Sequence, residues 1–144
     1  MQNFMRIAIE EASVAAERNS VPVGAVIVRD GIIISRAGNE VWKNHDPTAH
    51  AEILAVRRAC EALQSYMLPD CDLYVTLEPC AMCAQAISLA RIKRLYFGAY
   101  DTKYGAVEHN SRVLDFAPHK PEIIGGILEL QCASILQHFF EKRR

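Results

Sequence analysis

Apolar residues recur along this chain at two periods, and the switching between those periods predicts its elements. Over residues 2–18, Phe4, Ala8, Ala12 and Ala15 fall on one stripe at helical spacing, so the chain opens with an amphipathic helix. Pro22 blocks its continuation, and Gly24-Ala25-Val26-Ile27-Val28 reads as a buried strand. Asp30-Gly31 is a hairpin signal, from which Ile32-Ile33-Ile34 runs back antiparallel. Gly38 to Pro47 is polar and irregular and carries Asn39, His45 and Asp46. Thr48 stands as the N-cap of a second helix, from about Ala49 to Leu63, whose apolar stripe is Ile53, Val56, Cys60 and Leu63.

Leu73–Leu77 is a third strand ending at Glu78-Pro79, and Pro79 suits the first position of a third helix that runs on to Ala90. Leu95-Tyr96-Phe97-Gly98 gives a fourth strand and Pro121–Ile124 a fifth. Between them Ala99–Lys120 is polar, with one short apolar run at Val113-Leu114. A last helix starts near Leu128 and packs Leu128, Cys132, Ile135 and Phe139. Helices alternating with strands predict a three-layer α/β/α sandwich on a five-stranded mixed sheet, in a single domain over 1–144. From Cys80 to Ala90 only Gln85 and Ser88 are polar, so that helix needs cover on more than one side. The sheet supplies one cover, and a second subunit is the expected other.

Composition narrows the setting. A hydrophobic content of 51% with 23% charged residues is that of a globular protein. The formal net charge of −1 gives no general affinity for nucleic acid, so any RNA contact has to come from a local patch. The start, Met1–Arg6, lacks the charged-then-apolar plan of a signal peptide, and no apolar run approaches the roughly 18 residues of a spanning helix. Five cysteines, an odd number, fit reduced thiols in the cytoplasm. Cys60, Cys71 and Cys132 read as small core hydrophobes.

The chemistry sits in two short stretches, His50-Ala51-Glu52 and Pro79-Cys80-Ala81-Met82-Cys83. One imidazole and two thiols form a donor set that suits zinc far better than magnesium or calcium. No fourth ligand stands at a regular spacing, and a three-ligand zinc keeps one place for water, as hydrolytic sites do. Residues two apart on a helix do not share a face, so His50 and Glu52 converge only on a point off the N-terminal end of theirs. The sequence therefore asks for two helix N-termini that meet. Glu52, on the apolar side of its helix, loses water on folding and is the natural proton carrier.

H-x-E with P-C-x-x-C is an established signature of the zinc nucleobase deaminases. Over nearly its whole length the chain resembles the bacterial TadA-type tRNA adenosine deaminases of the cytidine/deoxycytidylate deaminase superfamily. The stretches that carry the resemblance are Val21–Val26, His45–Glu52, Thr76–Cys83 and Phe97-Gly98-Ala99 with Asp101, Lys103, Gly105 and Ala106. The resemblance implies a cytidine deaminase-like fold and a homodimer that converts the wobble adenosine of a tRNA anticodon stem-loop to inosine. By position it implies zinc on His50, Cys80 and Cys83, one per chain, with Glu52 shuttling protons. It also implies base contact by Asn39, a base pocket lined by Val23, and an Ala51 amide that holds the water or the product oxygen. After Ala106, the segment Val107–Lys120 departs from the family's commonest pattern.

A deaminase of free guanine, cytosine or cytidine would use the same zinc site and is the alternative reading. A structural zinc or redox module on Cys80 and Cys83 would leave Glu52 without a task, and a silent subunit would lack Glu52. His109, His119 and His138 read as surface histidines, and Phe139-Phe140 as helix-end core packing, with stacking on a nucleotide as the alternative. His45 either touches a phosphate or orients its loop. Arg91–Arg94 and Lys142-Arg143-Arg144 are the basic stretches from which an RNA footprint could be drawn.

Overall fold

The computed structural model describes residues 2–143. Helix α1 (Gln2–Glu17) buries Met5, Ala8, Ala12 and Ala15. The three alanines let it lie close on the sheet, so Met5 rather than Phe4 is the large residue in the core. Phe4 is half-buried, its ring 5.4 Å from that of Tyr74. Strands β1 (Gly24–Arg29) and β2 (Ile32–Gly38) form the expected hairpin, with Asp30 at φ 52° and Gly31 at φ 74°. Two consecutive positive φ values are what a tight two-residue hairpin turn requires.

The polar stretch after β2 holds a short helix that periodicity did not mark, α2 (Val41–Asn44), ended by His45 in the left-handed region. Helix α3 (Ala51–Leu63) begins later than expected because Thr48 does not cap it. Both the amide and the hydroxyl of Thr48 donate to Asp46 Oδ1, at 2.9 and 2.8 Å, and His50 takes the N-cap position. The buried face of α3 is Ala51, Glu52, Leu54, Ala55 and Ala59, and the predicted Val56, Cys60 and Leu63 are half-buried flanks. Small residues again mark the face nearest the sheet, whereas hydrophobicity alone selects the bulkier ones.

Strand β3 (Asp72–Leu77) leads into α4 (Ala81–Leu89), followed by β4 (Arg94–Ala99), a 3-10 turn at Val113–Asp115, β5 (Glu122–Ile124) and α5 (Glu129–Glu141). Pro79 lies before α4, not in its first turn: strand-like pairing runs past β3, with Glu78 N–H donating to the Ala99 carbonyl at 2.8 Å. The sheet order is β2-β1-β3-β4-β5; β1 is antiparallel to β2 and β3, and β3, β4 and β5 are parallel.

Helices α1 and α5 cover one face through Met5, Ala8, Tyr74, Tyr96 and Cys132, and α3 and α4 cover the other through Leu54, Ala55, Ile87 and Phe97. This is the three-layer mixed-sheet architecture expected. Cys71 and Cys132 are buried and Cys60 is half-buried. Helix α5 seats on β4 because position 98 is glycine; a Cβ there would collide with Cys132 Sγ. Ile87 is fully buried within the chain, while Leu89 on the outward side of α4 is 56% exposed. No helix among the described residues is long and apolar enough to cross a membrane.

Candidate active site

The N-termini of α3 and α4 meet beside the carboxyl end of β3. His50 is the N-cap of α3 (φ −68°, ψ 154°) and Cys80 that of α4 (φ −73°, ψ 176°), and neither side chain caps its own helix. Extended backbone at both positions turns the side chains away from their helices and toward each other. Cys83 joins them from one turn into α4. His50 Nδ1 lies 3.7 Å from Cys80 Sγ and 3.5 Å from Cys83 Sγ, and the three donor atoms all lie within 4.8 Å of one another. Tetrahedral zinc, with Zn–S of about 2.3 Å and Zn–N of about 2.0–2.1 Å, has N···S edges of about 3.5 Å, so this donor set fits the ion.

Electrostatics at the site follow from burial and from the two helix starts. The Cys83 S–H directed at Cys80 brings the Cys80 thiol down to about 4, against the opposing effect of burial and with the help of His50. The same contact with Cys80, then burial, holds Cys83 well above the ordinary thiol range. The contact with Cys80 raises His50, an effect that burial opposes and the Glu52 charge assists. Burial pushes the Glu52 carboxyl up to about 7. A carboxyl poised there can take and return a proton near neutrality.

These groups open into a cavity of about 780 Å³. Its walls include every site residue singled out from the sequence except Cys83, which is buried behind Cys80: Val23, Asn39, His50, Ala51, Glu52 and Cys80. The Asn39 main-chain N–H donates to the Val23 carbonyl at 3.0 Å, and Asn39 Oδ1 accepts from Val41 N–H at 2.9 Å. That second bond fixes the side-chain orientation and leaves both hydrogens of Nδ2 as donors. Tyr100, Tyr104 and Phe140 complete an aromatic rim, each substantially exposed.

Sequence reasoning gave no role to Glu78 or His109. Glu78 is 2% exposed, and its carboxylate accepts from four main-chain amides and from His109 Nδ1 at 2.8 Å. His109 is therefore half-buried and partnered rather than a surface side chain. The usable signal was a carboxylate fixed between an apolar strand and Pro79, where a solvated Glu has no reason to be. His119 also has partners, with Nε2 2.8 Å from the Ile92 carbonyl. Arg143 stacks on the buried Phe139 at 3.5 Å and donates to Asn19 Oδ1 at 2.7 Å, so it is not a free basic group, and Arg144 lies outside the described residues.

Residues 1–99 match the cytidine and deoxycytidylate deaminase zinc-binding region. The tRNA-specific adenosine deaminase of Agrobacterium fabrum is 52% identical over 144 residues, covering 99% of this chain and 95% of that protein. A solved structure from work on A-to-I editing by tRNA:A34 deaminases at the wobble position of transfer RNA superposes with a TM-score of 0.93 at 52% identity, covering 94% of this chain and 100% of that one. The X-ray structure of guanine deaminase from Bacillus subtilis superposes with a TM-score of 0.65 at 44% identity, covering 68% of this chain and 63% of that one.

Proposed function

This chain belongs to the tRNA-specific adenosine deaminase family, and on that premise we propose that it converts adenosine to inosine at the wobble position of a tRNA anticodon. The observation that carries the reading is the convergence of His50, Glu52, Cys80 and Asn39 on one cavity with an aromatic rim. In this reading His50, Cys80 and Cys83 hold one zinc, which supplies a water acidified to a pKa near 7.

Glu52 takes a proton from the attacking water as its oxygen bonds to C6 of the adenine. The same carboxyl delivers that proton to ring N1. The second water proton then goes to the departing amine, which leaves as ammonia. Asn39 Nδ2 donates to a ring-nitrogen acceptor of the base, and Val23 packs against its face. The Ala51 amide, unpaired at the first position of α3, holds the oxygen that becomes the inosine carbonyl.

An anticodon loop is already single-stranded, so presenting the base costs less than it would from a duplex. The aromatic rim suits neighbouring unstacked bases. Residues 1–144 act as one deaminase domain, in the cytoplasm where tRNA is processed. A second copy covers the outward side of α4, where Leu89 and, beyond the 3-10 turn, the 87% exposed Phe116 stand bare. The likeness to guanine deaminase favours, as the second reading, a free-base substrate for the same site.

One assay separates the two. Purified protein is offered stem-loops bearing adenosine, cytidine or guanosine at the wobble position, beside free adenosine, cytidine and guanine. Inosine formed in the adenosine loop alone is the expected result. Turnover of free guanine or cytidine with the loop untouched would replace the RNA reading with the free-base one.

A further inference from the structure

Tyr100 to Arg112 contains no helix or strand apart from a lone bridge between Gly105 and Cys80, yet it carries Tyr100, Asp101, Thr102, Lys103 and Tyr104 into the cavity wall. Such a segment needs its shape imposed. Part of that is internal: Asp101 Oδ1 accepts the amides of Lys103 and Tyr104, each at 3.0 Å, and Asn110 Nδ2 donates to the Gly105 carbonyl at 2.8 Å. None of these bonds ties the segment to the rest of the site.

Glu78 does. Its Oε1 accepts from Asp101 N–H at 3.1 Å and from His109 Nδ1 at 2.8 Å. Its Oε2 accepts from the amides of Val107 (3.2 Å), Glu108 (2.8 Å) and His109 (3.2 Å). A carboxylate only accepts, so Nδ1 carries the imidazole proton. Burial alone would push this carboxyl up, but the amides of Glu108 and Asp101 with the His109 imidazole outweigh it and hold it below the usual carboxylate range. One charge thus gathers both ends of the segment onto the strand end that leads to Cys80.

Resting on the RNA deaminase reading above, we infer that Glu78 is a positioning residue for substrate: it fixes the Tyr100–Tyr104 wall, with His109 as its second anchor, and so sets RNA affinity rather than the chemical step. Glu78 lies in the cavity wall, but both its oxygens are taken up by these five donors and it is 2% exposed, so it acts through the segment. A neutral amide of the same shape keeps one acceptor and turns an N–H2 against main-chain donors, releasing one end of the segment.

The test uses Glu78→Gln and His109→Ala in the zinc-loaded protein. Glu78→Gln is expected to raise KM for the wobble-adenosine stem-loop about tenfold, the scale of a sub-ångström misplacement, with kcat within about threefold and zinc unchanged. The amides of Asp101, Val107, Glu108 and His109 should exchange with solvent at least about tenfold faster, while those of β1 and α3 stay as in the parent protein. His109→Ala removes a side chain that is 33% exposed and should give the same pattern more weakly. The double variant should add little to Glu78→Gln, because both act through one carboxylate.

A merely structural carboxylate would lower the melting temperature and leave KM alone. Unchanged KM in both variants, or zinc lost from both, overturns the inference. If Glu78→Gln gives no folded protein, KM of His109→Ala decides. If the parent protein does not deaminate the stem-loop, the RNA reading has failed, and faster exchange confined to the four amides still separates positioning from general loosening.

Discussion

His50 and Cys80 occupy the same station on two different helices: each is an N-cap with extended backbone whose side chain declines to cap. A cap side chain ordinarily satisfies an amide of its own first turn. Here both are turned outward to share a point, and the positive ends of two helix dipoles face it. The arrangement favours a thiolate at Cys80 before any ion arrives.

Cys80→Ser should therefore separate helix stability from metal binding. Serine is among the best N-caps, so α4 is expected to form as well or better, within about 1 kcal/mol. Zinc content should fall from one per chain to near none, and activity with it. Elemental analysis beside a thermal melt checks both; zinc retained at parent stoichiometry would remove Cys80 from the ligand set.

Glu52→Gln keeps the shape of the side chain and removes its ability to take a proton. Turnover is expected to fall about 10²–10⁴-fold, the range for a general acid–base group, with zinc content unchanged. Single-turnover rates on the adenosine stem-loop measure it. A loss below about tenfold would mean that another group moves the proton.

In the proposed function Asn39 has two jobs on two different atoms, and Asn39→Asp divides them. The aspartate keeps the oxygen that accepts from Val41 N–H and loses the donor nitrogen facing the cavity. The loop should hold while kcat/KM falls roughly 5- to 100-fold, the cost of about 1–3 kcal/mol for leaving a buried acceptor unsatisfied. Equal losses in melting temperature for Asn39→Asp and Asn39→Ala would show that the residue serves the loop alone.

Glu40, buried beside the site, gives a pH-dependent contribution to stability. Burial raises its carboxyl, but Arg58 at 2.9 Å and Asn44 overcome this and leave it below its ordinary value of 4.5. The folded value is the depressed one, so the stabilisation is complete above about 4.5 and is lost as pH falls through the folded value. Glu40→Gln should cost about 1 kcal/mol at pH 7 and converge with the parent protein in acid. Melts over a pH series test this, and a constant gap down to acid pH would contradict it.

Leu89 and Ile87 lie two residues apart on α4 and should respond differently to charge. If the proposed dimer forms, Leu89→Lys is expected to leave the fold intact and shift light scattering from dimer toward monomer at micromolar concentration. Ile87→Lys, at a position buried inside the chain, should fail to fold instead. Unaltered mass for Leu89→Lys would argue against α4 as the subunit contact.

The strands were legible because apolar runs bounded by Pro22, Asp30-Gly31 and Pro79 admit few other arrangements. The convergence of His50, Cys80 and Cys83 was legible because these residues are chemically distinctive, and their donor atoms do lie within 4.8 Å of one another. Helix α2 was not, since four residues hold barely one turn and show no period. Thr48 misled because Asp46, two residues earlier, competes for its hydroxyl. The place of Glu78 before Pro79 hinted at a buried carboxylate, but what it binds was opaque for a deeper reason. Its partners are chiefly main-chain amides, which every residue except proline carries, so nothing in the letters of Asp101 or Val107 announces the bond.

Position 98 controls the active-site cavity from beneath. Leu136 and Phe140 form one wall of that cavity, and both ride on α5, which rests on β4 through the contact of Cys132 with Gly98. A single added methyl at 98 would lift the helix as a body and carry that wall outward, touching none of the groups that do chemistry. The width of that cavity is thus a matter of layer thickness. A lineage could broaden or narrow what it admits by altering a residue that no substrate ever meets.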